Sequence, residues 1–241
     1  MKAIIYTAIF GGYDEPKKHS PQDMSCDFLL FTDKNLRQRI GDWRVIRVAT
    51  DANMHPRMQA KYFKLMSHEI FPRGRLSLRY VWHHPELWLS RRYDVCIWLD
   101  GGLMIKSPRF VHDMVRALDG AEWALFNHPD RDCIYEEAEV SLTMRKYQSL
   151  PINQQVASYR ESVPPHGGLY ACGIIVRAEP SSSEMQRLNR AWWDENVKWT
   201  YQDQLSLPFV MSRFPSCRPA IIDGNLWRND WFTHAPHAAD L

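Results

Sequence analysis

The stretch Tyr93-Asp94-Val95-Cys96-Ile97-Trp98-Leu99-Asp100-Gly101-Gly102 constrains this chain more than any other. Val95 to Leu99 is an unbroken apolar run of β-forming residues, which predicts a strand. A strand that is apolar at every position is covered on both faces, as in the parallel sheet of an α/β protein. The run stops at a carboxylate and two glycines, so Asp100 falls at the carboxyl edge of the sheet, where such folds bind ligands. Gly101 and Gly102 leave space for backbone to approach a bulky group. Asp-Gly-Gly at that edge suits a metal, a phosphate or a ribose. It suits equally a plain strand-to-turn junction with Asp as the turn residue.

Other segments repeat this arrangement. Ala3 to Phe10 reads as a first strand that exits into Gly11-Gly12-Tyr13-Asp14, and Phe28 to Phe31 as a second that ends at Thr32-Asp33. Trp43 to Val48 reads as a third. Glycine-bearing loops after early strands are where α/β nucleotide binders hold base, ribose or phosphate. Neither a G-x-G-x-x-G nor a P-loop is present, so dinucleotide and Walker-type binding find no support.

Residues 54–70 carry the clearest helical pattern. Pro56 suits a first turn, and Arg57, Lys61, Lys64 and His68 fall within an arc of roughly 60° at about 100° per residue. Met58, Tyr62, Leu65 and Met66 form a neighbouring apolar face. One reading of the cations is an ordinary solvated stripe. They also suit a diphosphate, which Arg57 and Lys61 would meet near the helix amino terminus, where backbone N–H groups and the helix dipole favour an anion.

Further along, residues 72–92 read as an Arg- and Trp-rich elaboration with a short helix from Pro85. The adjacent His83 and His84 diverge on any regular element and make a poor metal pair. Helices are expected near 108–118, from Tyr135, over 151–163, from Ser181 to Glu195 and from Tyr201. Strands are expected at 122–126, 169–177 and 220–223. Polar residues crowd the strand exit at Asn127-His128-Pro129-Asp130-Arg131-Asp132, and Gly173 inside a strand marks a close approach. Asp203 lies near a helix start, where an acid is also expected as a cap or first-turn residue. In the tail, Pro236 argues against a helical His234-x-x-His237 metal pair, and a single histidine joining a metal held elsewhere fits better.

Composition then narrows the class. With 241 residues, 45% hydrophobic and 24% charged, the chain reads as one globular domain spanning 1–241 with the elaboration near 75–91. A net charge of +2 excludes a polybasic nucleic-acid binder. The five scattered cysteines, without a Cys-x-x-Cys pair, argue against a disulfide framework and for a reducing compartment. No stretch resembles a signal peptide or reaches membrane-spanning length, so a cytoplasmic protein is expected, with membrane contact at most peripheral.

On these residues the chain resembles a glycosyltransferase-like domain family of bacteria and plants, itself similar to nucleotide-sugar transferases of the GT-A type. The matching pieces are Tyr6 to Asp14, Phe31-Thr32-Asp33, Pro56-Arg57 with Ala60-Lys61 and Lys64, Ile97 to Gly101, and Gly167-Gly168-Leu169 with Asp203-Gln204-Leu205-Ser206. The most specific is His128-Pro129-x-Arg131-Asp132-Cys133-Ile134-Tyr135-Glu136-Glu137. The resemblance implies a single GT-A-like (Rossmann-like) α/β domain with a mostly parallel sheet flanked by helices. It implies transfer of a sugar from a nucleoside-diphosphate sugar to a hydroxyl of a glycan or glycoconjugate, as in surface polysaccharide synthesis.

The roles that follow are expectations. Asp100 would hold Mn²⁺ or Mg²⁺, with His234 as a later ligand. Arg57, Lys61 and Lys64 would neutralise the diphosphate, while Gly11, Gly12, Asp33 and Gly101 contact the donor. Asp203 would be the general base, and His128, Arg131 and Glu136 would shape the sugar site. GT-A enzymes commonly carry Asp-x-Asp, whereas Gly102 stands two residues after Asp100, which leaves a non-catalytic nucleotide- or sugar-binding module as the alternative. A nucleotidyltransferase or hydrolase on the same sheet ranks below both, since the Lys/Arg-dense loops of pyrophosphate release are missing.

Overall fold

A computed structural model describes residues 1–81, 85 and 92–235. The apolar run is strand β5 (Val95–Leu99), buried at every residue. Before it come β1 (Ala3–Ile9), β2 (Cys26–Thr32), β3 (Arg39–Ile40) and β4 (Trp43–Arg47); after it come β6 (Leu103–Ile105), β7 (Trp123–Asn127), β8 (Tyr170–Ala178), β9 (Ala220–Ile221) and β10 (Phe232–His234). Eight of them form one sheet in the order β3-β4-β2-β1-β5-β8-β7-β9, and β6 pairs with β10 in a small second sheet.

β1, β2, β4 and β5 run parallel, as do β7 and β9. The mostly parallel α/β sheet flanked by helices is therefore present. From β1 the chain winds outward through β2 and β4, then returns to the other side of β1 as β5. This reversal creates a switch point between β1 and β5, with their carboxyl ends side by side, where open α/β sheets form a ligand crevice.

β8 departs from the parallel pattern. It runs antiparallel to β5 and β7, so it brings its beginning, not its end, to that edge. The Asp100 amide donates to the Gly173 carbonyl at 2.9 Å. A Cβ on Gly173 would stand 3.7 Å from Asp100 Oδ2, which is the close approach the strand glycine suggested.

Both faces of the sheet are covered. Ile4, Tyr6 and Ala8 of β1 join Cys96 and Trp98 in one core, while Ala3, Ile5 and Ile9 join Ile97 and Leu99 in the other. Helix α1 (Pro56–Leu65) packs on the first face. The helix expected over 54–70 breaks at Met66 (φ −92°, ψ 38°) before α2 (Ser67–Ile70). The break turns the chain so that Phe71 buries edge-on against Tyr6, ring centroids 4.9 Å apart. Helix α3 (Leu78–Val81) follows, and α4 (Phe110–Arg116) covers the opposite face. A third core lies beneath α5 (Ile134–Thr143) and α6 (Ile152–Ser158), the latter shorter than the 151–163 expected. Helices α7 (Ser183–Lys198) and α8 (Asp203–Ser212) complete the first face.

The elaboration near 75–91, with His83 and His84 and the helix expected from Pro85, lies largely outside the described residues; so does His237. Its two ends are fixed: the Tyr93 amide donates to the Gly74 carbonyl at 2.7 Å. No helix among the described residues is long and apolar enough to cross a membrane.

Gly74 sits at φ 73°, and a Cβ there would stand 2.2 Å from the Tyr93 carbonyl oxygen. Left-handed backbone costs a non-glycine residue about 1–2 kcal/mol, and the clash with rigid backbone adds to it. Gly74→Ala is thus expected to destabilise the fold by at least about 2 kcal/mol, read as a lower denaturation midpoint in urea. An unchanged midpoint would mean that this junction yields freely.

Candidate active site

At the switch point the strand ends enclose a cavity of about 290 Å³. Its floor carries alternating charges: Lys61 Nζ lies 2.7 Å from Asp203 Oδ1, Lys64 Nζ 2.7 Å from Asp203 Oδ2, and Lys64 Nζ 3.2 Å from Asp100 Oδ1. The two lysines are three residues apart on α1, hence neighbours on one face. Asp203 opens α8 and Asp100 closes β5. Lys64 is only 1% exposed and the Lys61 side chain 17%, so this part of the cationic stripe faces the interior, while Arg57 and His68 remain partly exposed.

A buried ammonium without partners costs several kcal/mol. Lys64 has two carboxylates and the Trp98 ring, whose centroid is 5.8 Å away. Burial works against its charge, yet Asp100 and Asp203 more than offset this and raise its pKa above the usual ammonium value. Lys61 shifts the other way: burial, together with the adjacent Lys64 charge, outweighs Asp203 and lowers its pKa. For Asp203, burial alone would raise the pKa. Lys61 and then Lys64, through charge and hydrogen bonds, override it and hold the carboxyl at about 2.

Asp100 differs from Asp203. Its Oδ1 accepts from Trp98 Nε1 at 2.6 Å as well as from Lys64, but its side chain is 44% exposed, which leaves Oδ2 facing the cavity. Above it, the Arg57 guanidinium lies 4.9 Å from the centre of the Tyr13 ring. The N-terminus of α1 is capped by His55 Nδ1, which accepts the Arg57 amide at 3.2 Å, and the His55 ring stacks on Tyr201 at 4.8 Å.

The far wall is a second buried network. Arg131 donates from Nε at 2.8 Å to Glu137 Oε2, with Nη2 2.7 Å from the same oxygen. Gln202 Nε2 donates to Glu137 Oε1 at 3.2 Å and to Ser141 Oγ at 3.0 Å. His128 Nδ1 accepts the backbone amides of Asp130 and Arg131, which folds the turn and leaves Nε2 as the protonated nitrogen, 3.6 Å from Glu137 Oε2. Burial lowers the His128 pKa, so its role in this wall is that of a neutral imidazole. Among the described residues the cavity is lined by five cations (Arg57, Lys61, Lys64, Arg131, Lys146) and three carboxylates (Asp100, Glu137, Asp203). That surplus favours an anionic ligand.

The expected site residues divide accordingly. Asp100, Gly101, Arg57, Lys61, Lys64, His128, Arg131, Asp203 and His234 all line this cavity. Gly11, Gly12 and Asp33 do not. The Gly11 amide donates to Asp33 Oδ2 at 3.0 Å, and a Cβ on Gly11 (φ 65°) would stand 2.7 Å from the Pro56 ring. These residues seat the start of α1, and Asp33 borders a separate depression with Arg47 and Thr50. Glu136 also lies outside. Consecutive residues on a helix point about 100° apart, so only one glutamate of the pair can face inward, and that one is Glu137. Glu137, Tyr147 and Gln202 were not singled out from the sequence; Glu137 stood within the quoted Tyr-Glu-Glu string, but the string alone does not set the phase of the helix.

A hard divalent ion shared with a diphosphate takes one or two protein carboxylates and completes its shell with phosphate and water oxygens. Asp100 Oδ2 fits such an ion as a single carboxylate ligand. Gly102 adds none, and His234 Nε2 faces the Leu226 carbonyl at 3.3 Å, so that nitrogen is already engaged by the protein.

Comparison with known proteins agrees with this picture at the level of the family. The family model TOD1/MUCI70, glycosyltransferase-like domain, matches residues 1–229. The chain is also similar to the Probable hexosyltransferase MUCI70 of Arabidopsis thaliana, with 24% identity over 240 residues, covering 87% of this chain and 37% of that protein. The chain therefore spans well under half the length of that relative.

Removing one member of a buried ion pair costs about 3–5 kcal/mol, and Asp203→Asn is expected to lose that much in chemical denaturation at neutral pH. The sign with pH follows from the lowered pKa. The stability Asp203 contributes is complete above the ordinary value of 3.8 and is lost as pH falls toward about 2. The native protein should accordingly lose more stability than Asp203→Asn across that interval; parallel acid curves would rule the charge network out as its source.

Proposed function

We propose that this chain, which belongs to the TOD1/MUCI70 glycosyltransferase-like domain family, transfers a hexose from a nucleoside-diphosphate sugar to a hydroxyl of a glycan or glycoconjugate. The observation that carries this reading is the row of Lys61, Lys64 and Arg57 lining the same switch-point cavity as Asp100, with Lys64 in contact with that carboxylate. The printed activity of the plant relative, hexosyltransferase, agrees with it.

The chemistry asks for charge stabilisation above all. As the bond from the anomeric carbon to the phosphate oxygen breaks, the diphosphate gains negative charge and the sugar becomes oxocarbenium-like; the acceptor oxygen then bonds to that carbon and gives up its proton. Arg57 and Lys61 meet the phosphate oxygens. Lys64 stays between Asp100 and Asp203 and holds the floor in place. A Mn²⁺ or Mg²⁺ bound at Asp100 Oδ2 would supply further charge neutralisation at the diphosphate. Arg131, held by Glu137, and the Tyr147 and Trp227 rings border the sugar and acceptor side.

This geometry gives Asp203 a role different from the general base read from its position. Both its oxygens are taken by ammonium groups and its pKa is about 2, far from the value that makes an efficient base. Its role is to position the two lysines. One observation favours a second reading, a module that binds donor without turnover: among the described residues lining the cavity, Asp100 alone offers a carboxylate oxygen without a protein donor.

Nucleoside-diphosphate hexoses with Mn²⁺ are expected to raise the melting temperature and to release nucleoside diphosphate on incubation with glycan acceptors. Stabilisation without release would favour the binding module; neither would remove the nucleotide-sugar reading. Arg57→Ala is expected to weaken donor binding by about 1–3 kcal/mol in calorimetric titration with little change in fold stability, since its guanidinium rests on Tyr13. Unchanged donor affinity would move the diphosphate elsewhere.

A further inference from the structure

A second group of ligating side chains lies on the outer side of the His128–Glu137 segment: Glu136 and His166 line a depression that borders the cavity through His128 and Arg131, and Cys133 is buried next to them. Cys133, Glu136 and His166 bring a thiol sulfur, a carboxylate oxygen and an imidazole nitrogen within 4.8 Å of one another. Cys133 stands at the N-cap position of α5 with its thiol making no capping hydrogen bond, and Glu136 sits three residues on, so the two lie on one side of the helix start. His166 arrives from the Pro164–Gly168 turn, in left-handed backbone (φ 56°). The Gly168 amide donates to the Asp132 carbonyl at 2.9 Å, which ties that turn to the residue just before Cys133.

The orientation of the imidazole is the telling feature. Asp132 Oδ1 holds His166 Nδ1 at 2.6 Å, and Nε2 is turned inward, 4.0 Å from Glu136 Oε1. A carboxylate on one ring nitrogen with the other presented to further ligands is the arrangement that orients and strengthens a metal-binding histidine. A thiolate, an imidazole and one carboxylate select zinc over the hard ions expected at Asp100. Three protein ligands leave the fourth tetrahedral position open to the depression.

We propose that Cys133 Sγ, Glu136 Oε1 and His166 Nε2 bind a zinc ion, with Asp132 as the positioning residue for His166. Binding replaces the thiol proton, which is released to solvent, so thiolate and carboxylate together balance the charge of the ion. The ion would clamp the Pro164–Gly168 turn to the start of α5, one residue before Glu137 enters the catalytic wall.

Cobalt(II) titration of the chelator-treated full chain is expected to give one equivalent of binding with a thiolate-to-cobalt charge-transfer band, displaced by zinc. Cys133→Ser should abolish the band, and Asp132→Asn should keep it while weakening zinc binding about 10–100-fold. A native chain without the band, or a band that survives Cys133→Ser, would overturn the site. Should Cys133→Ser fail to fold, Glu136→Gln serves instead: reduced zinc affinity supports the proposal and unchanged affinity overturns it.

Discussion

A buried ammonium needs opposite charge within reach, and Lys64 obtains it from two elements distant in the chain. Asp100 ends the central strand and Asp203 begins a helix more than a hundred residues later, yet both touch one Nζ. This contact fixes the distance between α1, the edge of β5 and the start of α8, which are the three elements that shape the cavity floor. Desolvation makes the arrangement all-or-none, because loss of any one member leaves charge stranded in an apolar setting. The rest of the site is built outward from that floor.

Within the floor the two lysines are not equivalent. Lys64 touches two carboxylates and its charge is reinforced, whereas Lys61 touches one, is more open to the cavity and holds its proton less firmly. Were Lys61 drawn away from Asp203, that carboxylate would not be stranded, since Lys64 remains on its other oxygen. One lysine maintains the frame and the other is able to exchange partners.

Much of this was legible in the residues themselves. The unbroken run Val95–Leu99 implied a two-sided strand, and its abrupt end located Asp100 at the edge. The spacing of Arg57, Lys61 and Lys64 implied one helix face. What stayed hidden depended on contacts remote in sequence. Nothing local to β8 tells whether it runs with or against β5, and Asp203 read as a cap or a base because its partners are remote in sequence, Lys61 lying 142 residues away. The choice between Glu136 and Glu137 turns on the rotational phase of α5, which the Tyr-Glu-Glu string does not carry. Gly11 and Asp33 lie outside the cavity, and in the sequence a tight glycine turn beside an acid looks the same whether it holds a nucleotide or the first turn of a helix.

The hydrogen bond between Tyr93 and Gly74 closes the chain on itself at the foot of the 75–91 segment. Within the described part of this span Leu76, Tyr80 and Val81 are buried in the core on the first face of the sheet, so the span is anchored there as well as at its neck. Doubling the length of a flexible loop adds only about 0.6 kcal/mol to the entropy of closing it. A change of length in a span closed at such a neck therefore costs little, as long as Leu76, Tyr80 and Val81 keep their places in the core beside the strand and the helix that carry Asp100 and its lysines.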